Sequence, residues 1–100
     1  MADQENNKYN YISPILEYRI SKVALRDDDI LHIMIKENEV FNARDFMDLF
    51  EAAGKIGNGK RFRNLVSIGN HTLPDTEARQ LSTSKEGSIY KIADAFVIRT

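Results

Sequence analysis

Three residue types that hydrolytic enzymes combine lie near one another in the chain: Ser67, His71 and Asp75. A serine nucleophile needs a histidine base within hydrogen-bond reach and a carboxylate that orients this base. Nothing around Ser67 resembles the strained turn that exposes such a nucleophile, and these residue types are common at helix starts, where they cap backbone N–H groups. Hydrolysis is therefore only a third alternative, and we expect that the chain is not an enzyme.

Metal and cofactor sites are equally poorly supported. The chain has no cysteine, and its two histidines lie apart, His32 in an apolar segment and His71 in a turn. The three carboxylates at 27–29 belong to a turn, in which adjacent side chains point in different directions. Glycines 54, 57 and 59 follow a predicted helix, whereas a phosphate-binding loop precedes one. We predict no metal and no cofactor, and a structural role for His32.

Composition indicates one small domain. The 100 residues are 42% hydrophobic and 29% charged, with a formal net charge of −1. This balance does not favour nucleic-acid binding, since the basic cluster at 60–63 is too short for a binding patch. The start of the chain lacks the pattern of a signal peptide and no apolar run reaches the length of a membrane span. We therefore expect a cytoplasmic protein and do not favour membrane association. Residues 1–10 are polar and predict a disordered tail, and residues 11–100 the domain.

Hydrophobic periodicity predicts the elements. Alternation predicts a strand at 16–24 and an apolar run predicts a second at 30–35, joined as a hairpin. Helical spacing predicts an amphipathic helix at about 43–56, with Asn42 as its N-cap and residues 57–59 as its C-terminal cap. A third strand is predicted at 62–68 and a last one at 92–98.

The segment between the last two strands predicts a turn and a second helix. Asn70 and His71 follow the third strand, and Thr72 to Asp75 resemble a capping box with Pro74 in the first turn. Few apolar residues follow Leu81, so we expect the helix to be short.

The resulting order is β-β-α-β-α-β. It predicts an α/β domain with a four-stranded mixed sheet, in which an N-terminal hairpin is followed by parallel crossovers and the helices lie on one face. The last strand is apolar enough to need cover on both faces, but no sequence for another helix follows it.

Residues 65–69, 75–79 and 92–98, with 29–33 and 52–55, resemble a bacterial STAS-like family, similar to anti-sigma-factor antagonists. The resemblance extends over about residues 16–100. It implies a four- or five-stranded mixed sheet with helices on one face, in agreement with the predicted order. It also implies a further helix, strand and helix after the last strand, so we expect either a domain truncated at its C-terminus or an unusually short variant.

In the antagonists of this family, a serine within an Asp-x-Ser-Gly pattern is phosphorylated and controls binding to a kinase-like anti-sigma factor. Asp75 matches the aspartate of the pattern, but Glu77 stands at the serine and Ala78 at the glycine. A carboxylate there gives a permanent negative charge at a helix N-terminus. Thr72 and Thr76 remain the candidate phosphoacceptors, and the alternative is that Thr72, Asp75 and Glu77 only cap the helix.

The leading hypothesis is a non-catalytic regulatory module that binds a protein partner, such as a kinase-like anti-sigma factor. Its predicted surface is the turn and helix start, formed by Asn70, His71, Thr72, Asp75, Thr76, Glu77 and Arg79. The alternative is binding of a small apolar molecule or lipid, or transient membrane contact, which requires a deep apolar pocket between sheet and helices. An uncovered last strand further predicts a homo-oligomer.

Overall fold

The structure, a computed structural model, describes residues 10–98, apart from the side chains of Ile92 and Ile98. The tail predicted for residues 1–10 therefore lies outside the described residues except for Asn10. The main sheet contains β1 (Leu16–Glu17), β2 (Ser21–Leu25), β3 (Ile30–Ile35), β5 (Phe62–Ile68) and β7 (Lys91–Ile98). The other elements are the short pair β4 (Val40–Phe41) and β6 (Leu73–Pro74), helices α1 (Ala43–Gly57) and α2 (Thr76–Thr83), and a 3-10 helix at Glu86–Ser88.

The sheet is mixed, in the order β1-β2-β3-β5-β7. Neighbours β1, β2 and β3 are antiparallel, whereas β3–β5 and β5–β7 are parallel. The predicted hairpin followed by parallel crossovers is thus confirmed, and so is the mixed α/β class.

The predicted number of strands is wrong. This sheet has five strands and not four, because the segment predicted as one strand at 16–24 forms two separate strands, β1 and β2. A tight turn divides them, closed by a hydrogen bond from the Tyr18 N–H to the Ser21 carbonyl at 2.8 Å. Arg19 lies in this turn and reaches Asp45 at the start of α1. Alternating residues continue through the turn, so periodicity could not reveal it.

Helix α1 begins and ends close to the predicted residues. Its N-cap Asn42 accepts the backbone N–H of Asp45 at 2.9 Å, and the Asp45 carboxylate accepts the N–H of Asn42 at 3.0 Å, which completes a capping box. At the other end Asn58 adopts the left-handed conformation, with φ 51°, and donates its N–H to the Gly54 carbonyl. The predicted caps are confirmed.

The predicted start of the second helix is wrong. Helix α2 begins at Thr76, and its N-cap is Asp75, whose Oδ1 accepts the Ala78 N–H at 2.8 Å. Leu73 and Pro74 instead form β6, which pairs in parallel with β4. The helix is short, as expected, with eight residues.

The core lies between the sheet and the two helices. Val23 of β2, Leu31 of β3 and Val66 of β5 point to this face and are at most 5% exposed. Burying each such side chain stabilises the fold by about 1.5–3 kcal/mol. Residues of both helices line one cavity above this face, so the helices lie on one side of the sheet as predicted.

The opposite face is covered at one end and open at the other. His32 is buried there, and its Nδ1 lies 2.8 Å from the Tyr11 hydroxyl, which confirms its structural role. At the other end of the sheet β7 is an edge strand, whose Val97 is 50% exposed on this face. Within residues 10–98 neither helix is long and apolar enough to cross a membrane.

Candidate interaction surface and apolar cavity

The turn after β5 is held rigidly against the turn that follows β3. A Cβ atom added at Gly69 would lie 2.3 Å from the backbone nitrogen of Glu37, so only glycine permits this approach. The Asn70 carbonyl accepts the N–H of Asn38 at 2.9 Å, and His71 adopts the left-handed conformation with φ 65°. Asn70 and His71 are exposed, as a contact surface requires.

Thr72 lies in the interior beneath this turn. It is 7% exposed, its hydroxyl accepts the N–H of Glu39 at 3.1 Å and donates to the carbonyl of Lys36. The hydroxyl therefore holds two chain segments together. A kinase could reach it only after local opening, whereas Thr76, the other candidate phosphoacceptor, is exposed.

The start of α2 is open to solvent. Asp75 is half-buried because its carboxylate caps the helix, and its N–H is donated to the Phe41 carbonyl at 2.9 Å. Glu77 and Arg79 are exposed. Glu77 lies in the first turn, where a negative charge is favourable near the helix N-terminus.

Two exposed apolar residues that the sequence analysis missed adjoin this acidic start. Val40 of β4 and Leu73 of β6 are direct partners in the short parallel pair and are 61% and 71% exposed. Leu73 is a single apolar residue between Thr72 and Pro74, and Val40 has only one apolar neighbour, Phe41, so no periodicity marked them. The prediction that Thr72 belongs to the contact surface is wrong, because Thr72 is buried. With the other predicted residues Val40 and Leu73 form the β6–α2 surface, which we define as Val40, Asn70, His71, Leu73, Asp75, Thr76, Glu77 and Arg79.

A separate apolar cavity of about 260 Å³ lies between the sheet and the helices. Its walls include Leu31, Ile33, Phe46, Phe50, Val66 and Tyr90. The Phe50 and Tyr90 rings are in tilted contact, with centroids 5.0 Å apart. This is the kind of pocket that the apolar-ligand alternative requires.

Polar groups line the cavity on the side of α2 and β7. The Lys91 ammonium lies 2.9 Å from the Asp94 carboxylate and also donates to the Ser82 carbonyl at 3.0 Å. Asn64 donates its side-chain N–H to Asp94 at 2.9 Å, while its Oδ1 is buried without a hydrogen-bond partner. Arg79 also lines the cavity here.

The sequence profile of a family described as Domain of unknown function (DUF7793) matches residues 23–100. The chain belongs to this family. No protein of curated function and no solved structure matches the chain. The part matched by the DUF7793 profile includes both the β6–α2 surface and the cavity, but not Arg19, which orders the start of α1.

In this DUF7793 domain the three residues considered for hydrolysis do not form a catalytic arrangement. Ser67 points to the sheet face opposite the helices, because Val66 and Ile68 on either side of it line the cavity. The Asp75 carboxylate, by contrast, caps α2 on the helix side. Among residues 10–98, no three His, Asp or Glu side chains are grouped so that they could hold a metal ion.

Proposed function

We propose that this chain is a non-catalytic regulatory module of the STAS type that binds a protein partner through the β6–α2 surface. The observation that supports it is the position of the exposed pair Val40 and Leu73 beside the open, acidic start of α2. Apolar side chains surrounded by polar groups are typical of protein-binding sites.

The partner we propose is a protein with a small apolar depression bordered by basic side chains. Leu73 would enter the depression, and Glu77 would face the basic groups, with the first turn of α2 adding to the negative potential. A kinase-like anti-sigma factor is the partner that the STAS resemblance implies. Thr76 is the phosphoacceptor we favour, because it is exposed at the first residue of α2, where a phosphate would add charge to the same surface.

The first test is to identify the partner at a defined position. A photo-crosslinking amino acid replaces Leu73 in one variant and Met47, a 46% exposed residue of α1, in another. We expect one protein to be crosslinked from position 73 and not from position 47 in the source cells. Crosslinking from both positions to the same set of proteins would contradict the surface.

The second test measures binding with the purified partner. We expect Leu73→Ser and Glu77→Lys each to weaken the complex tenfold or more, while Met47→Ser and Glu86→Lys leave it unchanged. Asp75→Asn keeps a side chain that caps helices well, so it separates loss of charge from loss of the helix start. Equal affinity for all these variants would overturn the proposal.

Phosphorylation is tested on protein isolated from the source cells. Mass spectrometry should locate phosphate on Thr76 and not on the buried Thr72. Phosphate on Thr72 in folded protein would show that this segment opens, contrary to its hydrogen bonds.

A further inference from the structure

The cavity between the sheet and the helices has the size of a site for a small ligand. Its volume of about 260 Å³ exceeds the ~150 Å³ of an engineered apolar cavity that binds benzene and approaches the ~300 Å³ at which sites for drug-sized ligands begin. A single ring or a medium-length alkyl chain matches this volume. Apolar walls of this extent favour an apolar occupant that removes them from water.

The walls determine the chemistry of most of the ligand. Phe46 and Phe50 line the cavity from α1 and Val66 lines it from β5, and none of them carries a polar group. Thr72 also lines the cavity, but its hydroxyl already makes two hydrogen bonds to the backbone. Away from the side of α2 and β7, where Asn64, Lys91 and Asp94 lie, the enclosed part of the ligand must therefore be hydrocarbon.

The open side of the cavity carries positive charge that is not neutralised. Lys91 and Asp94 form an ion pair with each other, so this pair adds little net charge. Arg79, which is exposed and also lines the cavity, forms no ion pair within residues 10–98. Its guanidinium can offer two parallel N–H groups to a carboxylate.

We infer that the cavity binds a medium-chain fatty acid, with the alkyl chain among Phe46, Phe50 and Val66 and the carboxylate at Arg79. This ligand site and the β6–α2 surface share one residue, Arg79, which lies on α2 between the cavity and the proposed partner. The other residues of the ligand site do not belong to the β6–α2 surface. A free fatty acid is the ligand, rather than the acyl chain of a membrane lipid, because the cavity is too small for two long chains.

The test is a calorimetric titration of the folded protein with octanoate and, in parallel, with 1-octanol. Both should bind, and octanoate more tightly. Arg79→Gln should weaken octanoate binding about tenfold and leave octanol binding unchanged, because only the carboxylate uses the guanidinium. Arg44→Gln is the matched control: the Arg44 side chain is 86% exposed on α1 and does not line the cavity, so its replacement should not weaken binding of either compound.

A second pair of variants tests the location. Val66→Phe puts a larger side chain into the cavity and should abolish binding of both compounds, while the circular dichroism spectrum and cooperative unfolding persist. Leu65→Phe, its neighbour on the opposite face of β5, should leave binding intact. Absence of octanoate binding, equal weakening of both compounds by Arg79→Gln, or association only with phosphatidylglycerol vesicles would each overturn the inference.

Discussion

Arg19 and Asp45 join the first hairpin of the sheet to the start of the long helix. The guanidinium donates Nε to Oδ1 at 3.0 Å and Nη2 to Oδ2 at 2.6 Å, while the Asp45 side chain is only 1% exposed. The same carboxylate accepts the N–H of Asn42, so one buried side chain serves both a salt bridge and a capping box. The tight turn at Arg19 is the local feature that places the guanidinium there.

Replacement of Asp45 should therefore destabilise the domain strongly. We expect Asp45→Ala to lower the free energy of unfolding by about 2–3 kcal/mol, from the lost carboxylate half of the capping box and the lost charged hydrogen bonds to Arg19. Asp48→Ala is the control, since the Asp48 carboxylate lies 3.7 Å from an 86% exposed Arg44 and should cost about 0.5 kcal/mol or less. Urea unfolding measures both, and equal losses would contradict the role of the pair.

Stability should fall in acid partly because of the same residue. Burial alone would raise the pKa of Asp45, but the hydrogen bonds from Arg19, the N–H of Asn42 and the charge of Arg19 together hold it below 3.8, its ordinary value. Its contribution is thus complete above the unfolded-state pKa and is lost as the pH falls through the folded-state pKa.

Urea midpoints between pH 6 and pH 2.5 check this prediction. The stability difference between the natural protein and Asp45→Asn should be constant near pH 6 and shrink below about pH 4. Hydrogen bonds from Arg26 also lower the pKa of Asp28, so the variant should keep some acid sensitivity. A difference that grows in acid would show that the sign is wrong.

Gly69→Ala should disrupt the turn that carries the β6–α2 surface. The added Cβ would meet the backbone of Glu37 at 2.3 and 2.5 Å, and backbone cannot move aside as a flexible side chain can. We expect a loss of about 3 kcal/mol in unfolding free energy. At Gly59 the Cβ has no neighbour within 4 Å, and only its φ of 91° is unfavourable, so Gly59→Ala should cost about 1 kcal/mol. Thermal unfolding checks this prediction. A lower melting temperature for Gly59→Ala than for Gly69→Ala would contradict the clash at Gly69.

The exposed edge strand β7 should promote self-association. Phe96 and Val97 point to opposite faces of the sheet and both are at least half exposed, beside backbone groups that have no neighbouring strand within residues 10–98. A second copy can pair with such an edge. We expect sedimentation equilibrium to show dimers whose dissociation constant rises at least tenfold in Val97→Lys. Ile12→Lys is the control, since Ile12 is 61% exposed but lies before β1 and away from the β7 edge, and it should leave the dissociation constant unchanged. Monomers at every concentration would refute this.

The sequence by itself determined the elements whose causes are local. Asn42, the apolar spacing of α1 and the left-handed Asn58 lie within a few residues of the bonds they control, so capping and periodicity sufficed. The apolar runs of β3 and β5 marked both as buried strands. Because a helix separates them in the sequence, a crossover connection and parallel pairing of these two strands could be predicted.

Only the tertiary structure decided what depends on distant partners. Thr72 has a side chain suited to an N-cap, but its hydroxyl is used by Lys36 and Glu39, more than thirty residues earlier, so capping passes to Asp75. Val40 and Leu73 are likewise paired across 33 positions, and the cavity is made from both helices and five strands. A local pattern carries no information on which segments meet, because that choice is made by packing of the whole chain.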